Sequence, residues 1–202
     1  MQTSRSKILA RIRRQGTGYA FSAKDFTKIA NRGMIDVTFA ALLKDGTIRR
    51  VLRGLYDFPK RNPLLGGQLK PDIDESARAL ARRHRWQIVP DGAWAANLLG
   101  LSTQVPAKII YLTDGPNKEV VIGRRTIRFK HARPNALAGL HGRLALAIQA
   151  LRYYGKDRIG ETEISWLRSS LSATEKKKLL KHTRFAADWI YEVAKKIIGK
   201  SK

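Results

Sequence analysis

The first 59 residues place short amphipathic stretches between turn residues, in a pattern that predicts three helices and then a two-stranded hairpin. The first helix runs from about Ser4 to Gln15. Gly16 ends it, because glycine favours the backbone that terminates a helix. Ser22 is an N-cap candidate for the second helix, with Asp25 at the capping-box position.

A third helix is predicted from about Arg32 to Lys44, with Asn31 as its N-cap. Its apolar residues fall on one stripe, Ile35, Phe39, Leu42 and Leu43. The opposite side carries mainly small residues. It comprises Gly33, Val37, Ala40, Ala41 and Lys44, with Asp36 and Thr38 at its edges. Residues 47–52 and 55–58 read as strands, and Arg53-Gly54 as the tight turn between them.

Residues 60–72 concentrate proline and glycine, which predicts a linker. Residues 73–202 mix helix and strand patterns and form a predicted C-terminal domain with a small antiparallel sheet and a helical tail. Its predicted strands lie at 86–89, 108–113, 118–122 and 125–130. Its predicted helices lie at 73–84, 91–99, 139–154, 161–171, 174–181 and 183–198. The predicted fold class is therefore α+β.

Composition narrows the possible functions. The chain of 202 residues has no cysteine, which rules out disulfides, a thiol nucleophile and cysteine-bound zinc. No run of 18 apolar residues occurs and the N-terminus is polar, so we expect no membrane span and no secretory signal. These features are typical of a cytoplasmic protein.

The net charge is the first indication of a partner. Forty Lys and Arg residues face 16 Asp and Glu residues, giving +24. Such a chain attracts polyanions, and nucleic acid gains affinity as each neutralised phosphate releases counterions. Three helices followed by a basic hairpin are typical of a winged helix-turn-helix, so we expect residues 1–59 to be such a DNA-binding domain.

The predicted DNA contacts lie on the third helix and the hairpin. They are Asn31, Arg32, Asp36, Val37, Thr38, Lys44, Arg49, Arg50 and Arg53. Alternation in the strand at 125–130 predicts a second basic surface. It comprises Arg124, Arg128, Lys130 and Arg133. The alternatives are a three-helix domain that docks protein, and basic faces that are merely solvated.

Two stretches carry a family resemblance. Residues 31–56, Asn31-Arg32-Gly33 through Arg53-Gly54-Leu55-Tyr56, resemble the N-terminal domain of AbiEi-type antitoxins of type IV toxin–antitoxin systems. Residues 97–115, Leu-Gly-Leu-Ser-Thr-Gln-Val-Pro included, are similar to that family's C-terminal domain.

The resemblance implies a bacterial antitoxin that represses its own operon by binding inverted repeats in the promoter. It also implies that the protein counteracts a cognate nucleotidyltransferase-like toxin. By position, Arg32, Arg49, Arg50 and Arg53 inherit the expected DNA contacts. No catalytic residue carries over, and we expect no cofactor or metal. The alternative is a basic interaction module that mainly holds a toxin or other partner, with DNA or RNA binding secondary.

Two further patterns are weaker signals of catalysis. Gly66-Gly67 followed by Asp72-Ile73-Asp74 superficially resembles a nucleotidyltransferase metal motif, but the two aspartates open a helix, where capping and the helix dipole account for them. Ser102-Thr103-Gln104 is better explained by side chains that bond the local backbone than by a catalytic loop. We therefore do not predict an enzyme.

Overall fold

The computed structural model describes residues 3–62, 64, 66–133, 137, 139–184 and 186–199. Its described part is α+β, as predicted. The chain divides into two compact units, residues 1–86 with 121–124 and residues 87–120 with 125–202.

The first unit combines helices with a small antiparallel sheet. Its elements in chain order are α1 (Ser4–Gln15), β1 (Ala20–Phe21), a 3₁₀ helix (Ala23–Phe26), α2 (Arg32–Lys44), β2 (Arg49–Leu52), β3 (Leu55–Asp57), β4 (Arg61–Asn62), β5 (Gly67–Gln68) and α3 (Ile73–His84). Strand β3 lies between β1 and β2, and both pairings are antiparallel. The rings of Phe21, Phe26 and Phe39 meet edge to face at centroid distances of 5.4–5.5 Å, which anchors β1, the 3₁₀ helix and α2 in one core.

The predicted second helix is a 3₁₀ helix followed by turns. Ser22 and Asp25 form the expected capping box, in which the Ser22 amide donates to Asp25 Oδ2 at 2.8 Å. After Phe26 the chain turns, and the amides of Ile29 and Ala30 both donate to the Phe26 carbonyl. The 3₁₀ helix therefore ends well before Asn31, which is the N-cap of α2. Strand β1, which the sequence pattern did not predict, pairs with β3 in the same region.

The division into units differs from the predicted boundary at residues 60–72. The short pair β4–β5 lies within that segment, of which residues 63 and 65 are outside the described part. Helix α3 belongs to the first unit because Arg82 donates to Asp25 Oδ1 at 3.1 Å and to the Ala20 carbonyl at 2.6 Å. The first unit therefore extends beyond the predicted 59 residues.

The second unit contains a group of helices and a four-stranded sheet, except for residues 121 and 122 of one strand, which fall in the first unit. Its elements are β6 (Ile88–Pro90), α4 (Gly92–Leu99), β7 (Ile109–Thr113), β8 (Lys118–Ile122), β9 (Arg125–His131), α5 (Gly142–Tyr154), a 3₁₀ helix (Lys156–Arg158), α6 (Glu161–Ser170), α7 (Ala173–Thr183) and α8 (Asp188–Ile198). The strand order is β6-β7-β9-β8. The predicted antiparallel sheet is present in part: β6 and β7 are antiparallel, whereas β7 and β9 run parallel.

The core of the second unit lies mainly between helices. Helix α5 buries residues along most of its length, Leu144 to Leu151, because α4 and α7 both pack against it. A buried hydrogen bond of 2.8 Å from Trp94 Nε1 to the Tyr111 hydroxyl joins α4 to β7. Within the described residues, no helix has the length and apolar character needed to cross a membrane.

Candidate nucleic-acid interface

Helix α2 begins as the sequence predicts. The Asn31 side chain accepts a hydrogen bond from the Met34 amide at 3.0 Å, which satisfies one of the free donors at the helix start. Ile35, Phe39 and Leu42 turn inward and are buried. This inward stripe fixes the rotation of the helix and therefore decides which residues face solvent.

The outward face of α2 is small and apolar along its centre. Gly33, Val37, Ala40 and Lys44 recur at i, i+4, i+7 and i+11 and are all exposed. Val37 is 68% exposed, and Met34, at the edge of the same face, is 47% exposed. Met34 is absent from the predicted contacts, although helical spacing alone places it beside Val37.

One flank of this face carries an ion pair. Arg32 Nε donates to Asp36 Oδ2 at 2.7 Å, and both side chains are largely exposed. This hydrogen bond raises the pKa of Arg32, so the guanidinium remains charged. Two of the predicted DNA contacts are thus engaged with each other in the free protein.

Thr38 is a correction to the predicted contacts. It is only 2% exposed, because it lies three residues after Ile35 and four before Leu42, on the buried side of α2. A side chain on that side cannot reach a base or a phosphate. The other predicted residues of α2 remain on the exposed surface.

Arg49 is a second correction, because its guanidinium is engaged within the fold. Arg49 Nε and Nη2 donate to the two carboxylate oxygens of Asp57 at 3.1 and 2.6 Å, and Nη1 donates to the Leu69 carbonyl at 2.8 Å. Asp57 is 1% exposed, so this two-point pair is a structural contact across β2 and β3.

The remaining hairpin cations are available. Arg50 and Arg53 are exposed, and within the described residues neither side chain has a hydrogen-bond or ion-pair partner. The turn at Arg53-Gly54 is held in place, because Arg83 of α3 donates to the Arg53 carbonyl at 3.1 Å. Gly54 has a φ of +75°, a backbone conformation that glycine adopts without strain. A fixed turn therefore presents Arg53 to solvent.

The predicted second basic surface is exposed but partly neutralised. Ile127 and Phe129 are buried and Arg128 and Lys130 exposed, so the predicted alternation in β9 is confirmed. Arg128 pairs with Glu119 of β8 at 2.6 Å, and a depression of about 220 Å³ beside this pair is also lined by Lys130. Arg124 and Arg133 are exposed as well.

The first unit also has a polar cleft of about 430 Å³, lined among others by Tyr19, Asp72, Glu75 and Arg82. Asp72 is the N-cap of α3 and accepts from the Glu75 amide at 3.0 Å. Burial raises the pKa of Glu75, and the positive charge of Arg82 opposes that shift. The cleft thus holds charges of both signs, and Asp72 and Arg82 already form hydrogen bonds within the first unit.

The motif with two aspartates serves local structure, as expected. Asp74 pairs with Arg78 one turn later at 2.6 Å, while Asp72 caps α3. Among the residues that the structure describes, no group of three His, Cys, Asp or Glu side chains could hold a metal ion. The loop at 102–104 is held by Asn97, whose amide donates to the carbonyls of Ser102 and Gln104 at 3.1 Å.

Comparison with known proteins places the chain in a family. The model of a family described as "Family of unknown function (DUF6088)" matches residues 7–179. No curated protein matches the chain. Because the family model covers most of the chain, this protein belongs to DUF6088, a family of unknown function.

Proposed function

We propose that this protein is a sequence-specific DNA-binding repressor whose first unit acts as a winged helix-turn-helix. The observation that carries the proposal is the exposed apolar face of α2, followed in the same unit by a fixed hairpin with unpaired Arg50 and Arg53. An exposed apolar helix face is unfavourable in water unless a partner covers it. On a chain of net charge +24, the partner that fits best is a polyanion.

Helix α2 and the β2–β3 hairpin would contact different parts of the duplex. A helix of the size of α2, 13 residues, fits the major groove of B-DNA, and small outward residues let its backbone come close to the base edges. Arg50 and Arg53 would neutralise phosphates or enter a neighbouring minor groove. Lys44, at the C-terminal end of α2, would contact the backbone of the same duplex.

The sequence resemblance extends the proposal to a regulatory circuit. We propose that the protein acts in the bacterial cytoplasm as an antitoxin, binding inverted repeats in its own promoter and counteracting a nucleotidyltransferase-like toxin encoded beside it. The second unit would serve the toxin, and its exposed Val105 and Trp166 are the kind of side chains that protein partners cover. Co-expression with the adjacent reading frame tests this part: rescued growth supports an antitoxin, and unrelieved toxicity contradicts it.

DNA footprinting tests the repressor proposal. The probe is a duplex from upstream of the protein's own gene, at about 0.15 M salt with excess random duplex as competitor. We expect a protected region with two-fold symmetry that survives the competitor. Equal affinity for the promoter and for random duplex would contradict sequence-specific binding.

A matched pair of variants assigns the binding to the hairpin. Arg50→Ala with Arg53→Ala removes two exposed charges, and we expect it to lose protection at the protein concentration at which wild type protects fully. Lys177→Ala with Lys178→Ala removes the same charge from exposed positions on α7, and we expect it to retain protection. Retained protection by the first variant would contradict the assignment of the hairpin.

A further inference from the structure

The exposed apolar face of α2 has no side chain that forms a strong hydrogen bond. Gly33, Val37 and Ala40 offer neither donor nor acceptor, and the thioether sulfur of Met34 is only a weak acceptor. These residues cover the face from its first turn to its third. A helix that reads bases through hydrogen bonds uses Arg, Lys, Asn, Gln or acidic side chains at such positions. Helix α2 therefore cannot read most base edges from its centre.

The polar residues at the start of α2 are already engaged. Arg32 donates to Asp36 at 2.7 Å, and the side-chain oxygen of Asn31 accepts from the Met34 amide at 3.0 Å. Breaking either contact would cost part of what binding a base would gain. Hydrogen-bond readout from this end is therefore restricted to the remaining N–H donors of Arg32 and Asn31.

The charges around this face indicate which kind of molecule would bind it. Lys44 closes the face at its C-terminal end, and the adjoining hairpin presents Arg50 and Arg53. An apolar surface bordered by cations suits a partner with negative edges and apolar features between them. The major groove of DNA has this arrangement, because phosphates border a floor that carries the C5-methyl groups of thymine.

We propose that α2 recognises its site mainly through the C5-methyl groups of thymine, which contact Val37 and Met34. This inference rests on the proposed DNA-binding function and adds to it the chemistry of base selection. The C5-methyl group is the apolar feature that distinguishes a base pair in the major groove. Gly33 and Ala40 would let the helix come close enough for that contact.

Replacing thymine with uracil isolates the proposed contact, because uracil keeps the pairing and every hydrogen-bonding group but lacks the methyl. The full-length protein is first used to select duplexes from a random DNA library, and the enriched duplex is then made with thymine or with uracil. We expect the uracil duplex to bind about fourfold more weakly for each contacted methyl, from the free energy of burying one such group.

Variants locate the effect on α2. Val37→Ala is expected to weaken binding to the thymine duplex several-fold and to leave the uracil duplex nearly unchanged, so the preference for thymine shrinks. Val121→Ala is the matched control, since Val121 is 63% exposed on β8. It should retain the full preference. A protein occupant of this face would leave DNA affinity unaffected by Val37→Ala, and that result overturns the inference.

The outcomes separate this inference from the proposed function. A selected site that binds equally with thymine and uracil overturns thymine-methyl recognition but leaves specific DNA binding intact. A library from which no sequence is enriched overturns both. Weaker binding of the uracil duplex that depends on Val37 supports both.

Discussion

Gly33 is the residue whose replacement best separates the needs of the fold from those of DNA binding. It lies in the first turn of α2, and a Cβ built there would meet nothing closer than Asn31 Oδ1, at an ordinary contact distance of 3.8 Å. The fold therefore has room for alanine. Alanine also restricts the unfolded chain and favours helix, so Gly33→Ala should raise the free energy of unfolding by about 0.5–1 kcal/mol.

The same methyl group should weaken DNA binding. If α2 lies against base edges, the added group enters a packed contact, where one extra methyl costs about 1–3 kcal/mol, or about fivefold to 150-fold in affinity. Urea unfolding measures the stability, and fluorescence anisotropy with the selected duplex measures the affinity. A variant that is stabilised and binds DNA as tightly as wild type would refute close approach at Gly33. A destabilised variant would show that the fold has no room for a Cβ at position 33.

Three further predictions follow from contacts in the first unit. Arg49→Ala leaves the buried carboxylate of Asp57 without its partner and should lower the free energy of unfolding by about 3 kcal/mol. Arg50→Ala, at the exposed neighbour, should change it by less than about 0.5 kcal/mol, and equal effects in urea unfolding would contradict the structural role of Arg49. Asp36→Asn frees Arg32 for a phosphate, so affinity for random duplex should rise and its log–log salt slope steepen by about 0.9; an unchanged slope would show that Arg32 stays away from DNA. Burial raises the pKa of Glu75, so ionisation of this carboxyl group opposes folding. The free energy of unfolding should therefore fall as the pH rises through and above the ordinary glutamate range. The thermal stability of Glu75→Gln relative to wild type should therefore increase from about pH 4 to about pH 7; a constant difference would contradict the burial effect.

Local sequence signals predicted α2 well. The N-cap at Asn31, the stripe led by Ile35 and Phe39 and the end of the helix at Lys44 are all confirmed, because each depends on residues close in the chain. The burial of Thr38 was also available from helical spacing, since it lies between Ile35 and Leu42 on the same side. The predicted contact at Thr38 is wrong because the polarity of the side chain favours the outside, whereas its position in the helix places it inside.

The roles of the two adjacent arginines could not be predicted from local signals. A regular hairpin with the turn at Arg53-Gly54 would place Arg50, and not Arg49, opposite Asp57. The structure has a register shift between Arg50 and Leu52, so Arg49 opposes Asp57 instead. A one-residue shift moves side chains to the other face of a strand, and it thereby buries one guanidinium contact and frees the other. The predicted contact at Arg49 failed for this reason.

The boundary of the first unit was also beyond local prediction. Proline and glycine at residues 60–72 indicate a break, and the antiparallel pair β4–β5 lies within this segment. The contacts of Arg82 with Asp25 and with the Ala20 carbonyl join residues about sixty positions apart. Such pairs leave no periodic signal in the sequence, so the membership of α3 follows only from the fold.

The salt dependence of DNA binding tests the central claim most directly. The affinity of wild type for the promoter duplex is measured from about 0.05 to 0.2 M salt, together with the Arg50→Ala/Arg53→Ala and Lys177→Ala/Lys178→Ala variants. If the first unit binds DNA through its hairpin, the first variant loses about 1.8 from the log–log slope, about 0.9 for each lost phosphate contact, and the second keeps the wild-type slope. Identical slopes for the two variants would contradict the account, because the net charge of the chain alone would then explain the binding.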